Sequence, residues 1–327
     1  MGILPKERVN VSPAFTEIGL DFTGVIYLKS DDNKSTRKAY ICIFTCCQSR
    51  MVHLELTNNM TTEEFLSALR RMINRRGCCR TIFSDNQTTF KKAHQLIRLS
   101  YLRSHMNNEL VEEKVNKFLT DHGIRWKFIA ERSPHRGAFY ERLIRSLKEP
   151  LRKVLGRARL NYSEMYSVLT DIEASLNQRP LTYTGSDAMN PQPITPAHLA
   201  LGRPLQVLPL ITSTQEVNIG RRYKHLQMLL SHFWKRWTSE YLPTLGQRRR
   251  WTVQKKAPKI GDICLISEDK TARPTWPLGR VIETISGKDG IVRTFRLKTA
   301  KGMVTRPIQK LHLLEENKDE TEVLDEI

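Results

Sequence analysis

The sequence lacks several features that assign a protein to a class at once. It has no run of about eighteen apolar residues, so no membrane-spanning helix is expected. Residues 1–8 contain no apolar core of signal-peptide length. The 6 cysteines include two vicinal pairs but no C-x-x-C spacing, which excludes the common zinc-site and disulfide-scaffold patterns. We therefore expect the reduced, mostly buried thiols of an intracellular protein.

The length, the hydrophobic fraction and the net charge of the sequence are informative. Its 327 residues are enough for two or three domains, and a hydrophobic fraction of 39% is enough for a packed core. The formal net charge is +19 at pH 7. Nucleic acid is the commonest partner of a protein with so large a net positive charge, although a ribosomal or membrane-surface protein could carry the same charge.

Hydrophobic periodicity predicts a mixed α/β region in the first half of the chain. Five strands are predicted, at Phe15–Val25, Lys38–Cys47, Arg50–Thr57, Thr81–Ser84 and Ile124–Phe128. Helices are predicted from Thr61 to Gly77, over 91–103 and over Asn107–His122. A loop from Ala130 to Gly137 then leads into a further amphipathic helix. The order is three strands, helix, strand, helices, strand, helix.

Three carboxylates occupy suggestive places in this order. Asp21 lies within the first strand, Asp85 ends the fourth, and Glu141 lies in the helix after the fifth. If the first and fourth strands are neighbours, Asp21 and Asp85 meet, and the following helix could present Glu141 to the same point. Such hard oxygen ligands suit a pair of Mg²⁺ or Mn²⁺ ions about 3.5–4 Å apart. Taken singly, each aspartate could equally be a satisfied polar group or a turn residue.

The helix that carries Glu141 has two distinct faces. Its predicted apolar stripe consists of Tyr140, Leu143, Ile144, Leu147, Leu151, Val154 and Leu155. Another face carries Glu141, Arg145, Lys148 and Arg152. One acid followed by a basic ladder suits a metal-bound phosphate site with a polyanion along the helix. The alternative is a solvated face with i,i+4 ion pairs.

The second half of the chain is predicted to contain a helical linker region followed by a β module. A helix is predicted over Tyr162–Asn177, an irregular Pro-rich stretch over 180–218 apart from a short turn at Pro196–Leu201, and a basic helix over Arg221–Tyr241. Residues 221–256 hold ten Lys and Arg against one acid, with Phe233, Trp234, Trp237, Tyr241 and Trp251 interleaved. Such a segment either binds nucleic acid with stacking support or packs internally with its basic side chains reaching solvent.

Short alternating segments within Lys259–Leu314 predict a small β-barrel. Its strands are expected at Asp262–Ile266, Gly279–Ile285, Ile291–Lys298 and Gly302–Pro307. Residues 315–327 hold seven acids and one lysine, which is typical of a disordered tail.

Three segments resemble the catalytic motifs of retroviral-type integrases. They are Ile18-Gly19-Leu20-Asp21-Phe22-Thr23-Gly24, Phe83-Ser84-Asp85-Asn86 and Gly137-Ala138-Phe139-Tyr140-Glu141-Arg142-Leu143-Ile144. The nearest resemblance is to the integrase region of BEL/Pao long-terminal-repeat retrotransposon polyproteins. It extends to the distal helices, through Leu176-Asn177-Gln178-Arg179-Pro180-Leu181, and to the C-terminal β module, through Trp276-Pro277-Leu278-Gly279-Arg280-Val281.

The resemblance implies a fold, a site and an activity. It implies an RNase H-like core with a mixed five-stranded sheet, a helical linker and a small SH3-like β-barrel. The implied domains are an extended lead-in at 1–14, the core at 15–182, the linker with its basic helix at 183–256, the barrel at 257–314 and the tail at 315–327. It further implies Asp21, Asp85 and Glu141 as ligands of two Mg²⁺ or Mn²⁺ ions, and DNA 3′-end processing and strand transfer by a nuclear homo-oligomer.

Several residues depart from the family pattern. The second motif has Gln87 where Gly is usual and Thr89 where Asn is usual, and Ala138 replaces a second glycine. Pro150 falls inside the helix of Glu141, where it removes a backbone donor at a cost of about 3 kcal/mol or forces a kink. The N-terminal His/Cys zinc module of the family is expected to be absent.

Three functions are consistent with these residues. The first is a metal-dependent DNA strand transferase in which Arg136, Arg145, Lys148, Arg152, Arg248, Arg249 and Arg250 contact DNA. The second is a catalytically silent or host-adopted DNA-binding derivative, which the departures favour and the intact acids oppose. The third is an RNase H-like nuclease.

Overall fold

The structure is a computed structural model that describes residues 9–30, 35–105, 123–128, 134–156, 158–184, 192–205, 220–245, 258–266, 277–286 and 292–315. The chain divides into two compact units. The first comprises Met1–Asn177, Ala197–Val207 and Ser213–Phe233, and the second comprises Gln178–Pro196, Leu208–Thr212 and Trp234–Ile327. The predicted helix at 107–122, the arginines at 248–250 and all of the acidic tail but its first residue lie outside the described residues.

A mixed β-sheet forms the centre of the first unit. Its strands are β1 (Glu17–Phe22), β2 (Ile26–Lys29), β3 (Thr36–Cys46), β4 (Val52–Thr57), β5 (Thr81–Ser84) and β6 (Arg125–Phe128). The order is β4-β3-β1-β5-β6, with β2 also paired to β3. Strands β4, β3 and β1 are antiparallel, whereas β1, β5 and β6 are parallel. This is the predicted RNase H-like arrangement, with β1 and β5 as neighbours.

The sheet has six strands rather than the predicted five. The first strand ends at Phe22, opposite Cys42, and the chain resumes pairing with β3 as β2, where Ile26 is opposite Ala39. Across the break, the Thr23 amide donates to the Ile41 carbonyl at 2.9 Å, and the Ile41 amide donates to Thr23 Oγ1 at 3.0 Å. A threonine hydroxyl thus replaces a backbone acceptor, which an alternation pattern does not show.

The helices are α1 (Thr62–Arg76), α2 (Thr88–His105), α3 (Pro134–Leu155), α4 (Tyr162–Leu176), α5 (Pro196–Leu201) and α6 (Arg221–Leu245). Helices α1 and α4 contact β4 of the sheet. Aromatic rings fill the core beneath α1 and α2. The centroid of Phe90 lies 5.6 Å from that of Phe22 and 5.0 Å from that of Phe65. Close ring packing of this kind contributes beyond the area it buries.

Helix α3 differs from the prediction at its start. It begins at Pro134, a favoured residue for a first helical position, so the predicted loop end at 135–137 is helical. Glu141 is therefore in the third turn rather than at the helix start. The helix continues through Pro150, which is buried, to Leu155. The predicted stripe is confirmed for Leu143, Ile144, Leu147, Leu151 and Leu155, all buried. This face packs α3 against β1 and β3.

The second unit is mostly β structure. A hairpin of β7 (Thr182–Thr184) and β8 (Gln192–Ile194) lies where an irregular stretch was predicted. The β module is confirmed as an antiparallel sheet of β9 (Ile263–Ile266), β10 (Leu278–Ser286), β11 (Val292–Thr299), β12 (Gly302–Pro307) and β13 (Leu311–Glu315). Strand β13 was not predicted, and it places Glu315 in a strand rather than in the tail. In the described residues the pairing path β12-β11-β10-β9-β13 is open, so closure into a barrel stays a prediction.

The prediction of reduced, mostly buried thiols is confirmed. All six cysteines are free thiols, and only Cys78 is exposed. Across the described part of the chain, the helices are too short or too polar to span a bilayer.

Candidate functional site

Two neighbouring parallel strands bring Asp21 and Asp85 together. In the β1–β5 register Gly19 is opposite Phe83, and each aspartate lies two residues further along its own strand direction. Side chains two apart point to the same face, and neighbouring strands are about 4.8 Å apart. Asp85 is exposed just past the end of β5, and its Oδ1 accepts the Gln87 amide at 3.1 Å. The register therefore places Asp85, just beyond the end of β5, close enough to Asp21 of β1 for its charge to raise the pKa of Asp21.

Asp21 is a partly exposed carboxylate whose ion-pair partner is Lys148. Burial raises the pKa of Asp21, and the nearby Asp85 raises it further, whereas a hydrogen bond from Lys148 lowers it. The net result is a pKa above its ordinary value. Lys148 Nζ donates to Asp21 Oδ2 at 2.5 Å, and the two side chains are 33% and 27% exposed. The ammonium group of Lys148 thus faces two acids, Asp21 and the nearby Asp85. Additional positive charge would stabilise the ionised form of both acids.

The backbone of the third predicted ligand, Glu141, lies in α3. Residue 141 lies in α3 seven positions before Lys148, so two helical turns separate them on one side of the helix. The side chains of Glu141, Arg136 and Arg145 lie outside the described residues. Among the residues whose side chains are described, no group of three His, Cys, Asp or Glu could hold a metal ion. The triad therefore stays a prediction, with two of its members on adjacent strands.

The residues present fit a divalent cation. Carboxylate oxygens are the ligands that Mg²⁺ and Mn²⁺ prefer. The pKa of Asp21 is raised because burial and the nearby Asp85 oppose its ionised form more than Lys148 supports it. Lys148 already supplies one positive charge at Asp21 Oδ2. A metal ion held by Asp21 and Asp85 would supply more charge of the same sign at the same place.

A second lysine lies on the same face of the sheet, and the sequence analysis did not single it out. Lys127 of β6 is opposite Phe83 of β5, the strand that ends at Asp85. Its Nζ lies 5.3 Å from the centre of the Phe83 ring, within cation–π range. Lys127 therefore lies beside the strand that ends at Asp85, on the side away from β1. The only sequence signal for Lys127 was its alternation with the buried Trp126.

The remaining predicted DNA contacts are less closely tied to the aspartates. Arg152, one turn beyond Lys148, is exposed on α3. The arginines at 248–250 lie outside the described residues. Neither result tests a contact with DNA.

The aromatic side chains of the basic helix α6 pack internally. Phe233, Trp234, Trp237 and Tyr241 are buried, and the Trp237 and Tyr241 rings stack with centroids 4.3 Å apart. Of the two interpretations left open by the sequence, these four rings support packing, because a buried ring is not available to stack on a base. Trp251 lies outside the described residues.

Two segments of the chain match known protein families. Residues 18–134 match the integrase core domain family, and residues 221–314 match a family of unknown function, DUF5641. The first match includes Asp21 and Asp85 and ends before Glu141. The match shows that this segment is similar to integrase core domains. No curated protein matches the sequence.

Solved integrase structures are similar at low identity. The HTLV-2 integrase catalytic core domain in complex with magnesium, in its trimeric form, is 17% identical over 52% of this chain and 90% of that one, with a TM-score of 0.31. The BIV integrase catalytic core domain is 19% identical over 57% and 95%, with a TM-score of 0.35. A simian T-cell lymphotropic virus intasome with the PP2A regulatory subunit B56 gamma is 11% identical over 96% and 86%, with a TM-score of 0.30. The fold assignment rests on the strand order of the sheet.

Proposed function

We propose that this protein is an integrase-like enzyme of the BEL/Pao retrotransposon type, which binds DNA and catalyses metal-dependent 3′-end processing and strand transfer. The observation that supports this most is the pair Asp21 and Asp85, on adjacent parallel strands within the segment that matches the integrase core family. The net charge of +19 agrees with a DNA substrate. Element ends and target DNA would be its partners, in a nuclear homo-oligomer.

In this proposal, Asp21, Asp85 and Glu141 would hold two Mg²⁺ or Mn²⁺ ions. When bound, such ions activate the attacking water or hydroxyl and stabilise the leaving oxygen. The contribution of the chain is to position the carboxylates on a rigid sheet and to bind phosphates. Lys148 and Arg152, four residues apart on α3, would follow the DNA backbone along the helix. Because each phosphate contact releases counterions, DNA affinity should fall steeply with salt.

The experiment is strand transfer on oligonucleotides with Mn²⁺, comparing the wild-type protein with Asp85→Asn. We expect wild-type product and at least a hundredfold less from Asp85→Asn, because an amide is a weak ligand for a hard cation. Glu63→Gln is the matched control, since it makes the same carboxylate-to-amide change at an exposed position on α1. Equal activity of wild type and Asp85→Asn would refute the catalytic proposal.

A catalytically silent DNA-binding derivative is the second candidate. The observation that favours it is the Lys148–Asp21 ion pair, because an ammonium held permanently on Asp21 would keep a metal ion away. The continuity of α3 through Pro150 weighs against it, since this departure from the family pattern does not interrupt the helix. DNA binding that is unchanged by EDTA, without nicking, would support the silent derivative. Cleavage of the RNA in an RNA–DNA hybrid would instead indicate a nuclease.

A further inference from the structure

Lys148 occupies a position where two partners would compete for it. Its ammonium group lies 2.5 Å from Asp21 Oδ2, at hydrogen-bonding distance. Its side chain is nevertheless 33% exposed, and a lysine stem has several rotatable bonds. The ammonium can therefore turn from Asp21 towards solvent without unpacking the buried stripe of α3.

The Lys148–Asp21 contact and a metal ion on Asp21 oppose each other. A divalent ion bound by Asp21 would lie within a few ångströms of the ammonium group, and like charges at this distance repel strongly in a partly desolvated site. In the DNA-free protein the ammonium has no second anion of comparable strength among its described contacts. A DNA phosphate lying along α3 would supply one, since lysine binds phosphate as a point charge.

We propose that Lys148 couples metal binding to DNA binding: without DNA it neutralises Asp21 and weakens binding of the divalent ion, and a backbone phosphate draws it away and opens Asp21 to the ion. This inference rests on the proposed function. It makes Lys148 a positioning residue that acts through Asp21, in addition to its predicted contact with DNA. The site would then bind its metal ions more tightly in the presence of DNA than in its absence.

Thermodynamic linkage makes the coupling measurable without catalysis. If DNA tightens metal binding through Lys148, metal must tighten DNA binding by the same factor. DNA phosphates also attract the cation directly, so some enhancement is expected even without Lys148. The contribution of Lys148 is the part of the DNA-induced enhancement that disappears when its charge is removed.

The experiment is a Mn²⁺ titration of the full chain, in which free Mn²⁺ is followed by electron paramagnetic resonance. It is performed with and without a saturating DNA duplex, on wild type and Lys148→Gln. Without DNA, Lys148→Gln should bind Mn²⁺ about tenfold more tightly than wild type, a typical size for coupling between two sites. With DNA, the two affinities should converge, so that DNA enhances Mn²⁺ binding about tenfold more in wild type.

Lys153→Gln is the matched control. It removes the same charge from the same helix, but Lys153 pairs with Glu149 one turn away rather than with Asp21. Its Mn²⁺ affinity and DNA enhancement should equal those of wild type. Lys148→Arg, which keeps the charge, should retain most of the coupling. Circular dichroism of each variant ensures that only folded protein is compared.

The outcomes separate this inference from the function it rests on. Mn²⁺ affinities that are equal in wild type and Lys148→Gln, with and without DNA, would overturn the coupling and leave the metal site intact. Absence of Mn²⁺ binding in every variant, or binding that survives Asp21→Asn unchanged, would overturn the metal site itself. A purely structural ion pair would lower the stability of Lys148→Gln without changing its Mn²⁺ affinity.

Discussion

Glu55 and Asp21 are two carboxylates of one sheet with opposite surroundings. Glu55, on β4, is 1% exposed and has three partners: Arg71 Nε at 2.6 Å, Arg75 at 2.9 Å and His53 Nε2 at 3.0 Å. Burial raises the pKa of Glu55, but the hydrogen bonds from His53 and Arg71 outweigh it, and the pKa is below its ordinary value. Asp21, on β1, has one cationic partner and a neighbouring carboxylate, and its pKa is raised.

The comparison shows that compensation, rather than burial alone, distinguishes a structural acid from a candidate ligand. Glu55 is more deeply buried than Asp21, yet its charge is fully matched, and nothing further is needed to keep it ionised. Asp21 is more accessible and less well compensated. Incomplete compensation at an accessible carboxylate is the property expected of a group that binds a cation.

Side chains near the end of α4 bind backbone groups at the outer edge of β4, the strand that carries Glu55. The Asn177 side chain accepts the Val52 amide at 2.8 Å through Oδ1 and donates to the Val52 carbonyl at 2.8 Å through Nδ2. Glu173 of α4 accepts the Leu54 amide at 2.8 Å and pairs with Arg76 of α1. Side chains at the end of α4 thus satisfy backbone groups that a further strand would otherwise bind.

The largest expected effect on stability follows from substitution of Glu55. Glu55→Gln should lower the free energy of unfolding by about 3 kcal/mol, because it removes the buried carboxylate that pairs with His53 and with two partly exposed arginines. Asp21→Asn, the same chemical change, should alter it by less than about 1 kcal/mol, since its ionised form is poorly stabilised. Urea denaturation measures both. A larger loss for Asp21→Asn than for Glu55→Gln would reverse the structural assignment of the two acids.

An intermediate effect is expected at Asn177, which is fully buried. Asn177→Ala should cost about 2 kcal/mol, because the amide and carbonyl of Val52 both lose a partner in a buried place. Asn161→Ala is the control: it removes the exposed capping box of α4 and should cost about 1 kcal/mol. Hydrogen exchange should show a faster Val52 amide only in Asn177→Ala. An unchanged exchange rate would mean that the edge of β4 is held by other groups.

The smallest expected effect is the pH dependence of stability that arises from His53, a partner of Glu55. Burial lowers the pKa of His53, but hydrogen bonds with Glu173 and Glu55 outweigh it, so the pKa lies above its ordinary value of 6.5. A raised pKa means that the folded state binds the proton more tightly. This contribution to stability is complete below the pKa of the unfolded chain and is lost as pH rises through that of the folded protein.

Stability measured from pH 5 to 9 should therefore fall more with rising pH in wild type than in His53→Gln. His94 is the control with the opposite sign, because burial and Arg98 lower its pKa. His94 destabilises the protein as pH falls, and His94→Gln should remove that loss. Parallel pH profiles for wild type and His53→Gln would show that the His53–Glu55–Glu173 network does not hold the proton.

Much of the fold was predictable because it follows from local periodicity. The apolar runs of β3, β4 and β5 each specify a strand, and the three-and-four spacing of α3 specifies a helix and its buried face. The break between β1 and β2 was missed because the Thr23 hydroxyl substitutes for backbone there. The β7–β8 hairpin was missed because a proline-containing strand of three residues has too little alternation to detect.

The sequence by itself determined most of the elements, the buried face of α3, and the places of Asp21 within one strand and Asp85 at the end of another, because periodicity and strand-end signals are local. Only the tertiary structure decided that Lys148 contacts Asp21, 127 residues away in the chain, and that Glu55 is saturated with partners. The physical reason is that charge compensation depends on distances between elements far apart in sequence. No local pattern records which acid of a sheet has its charge matched and which does not.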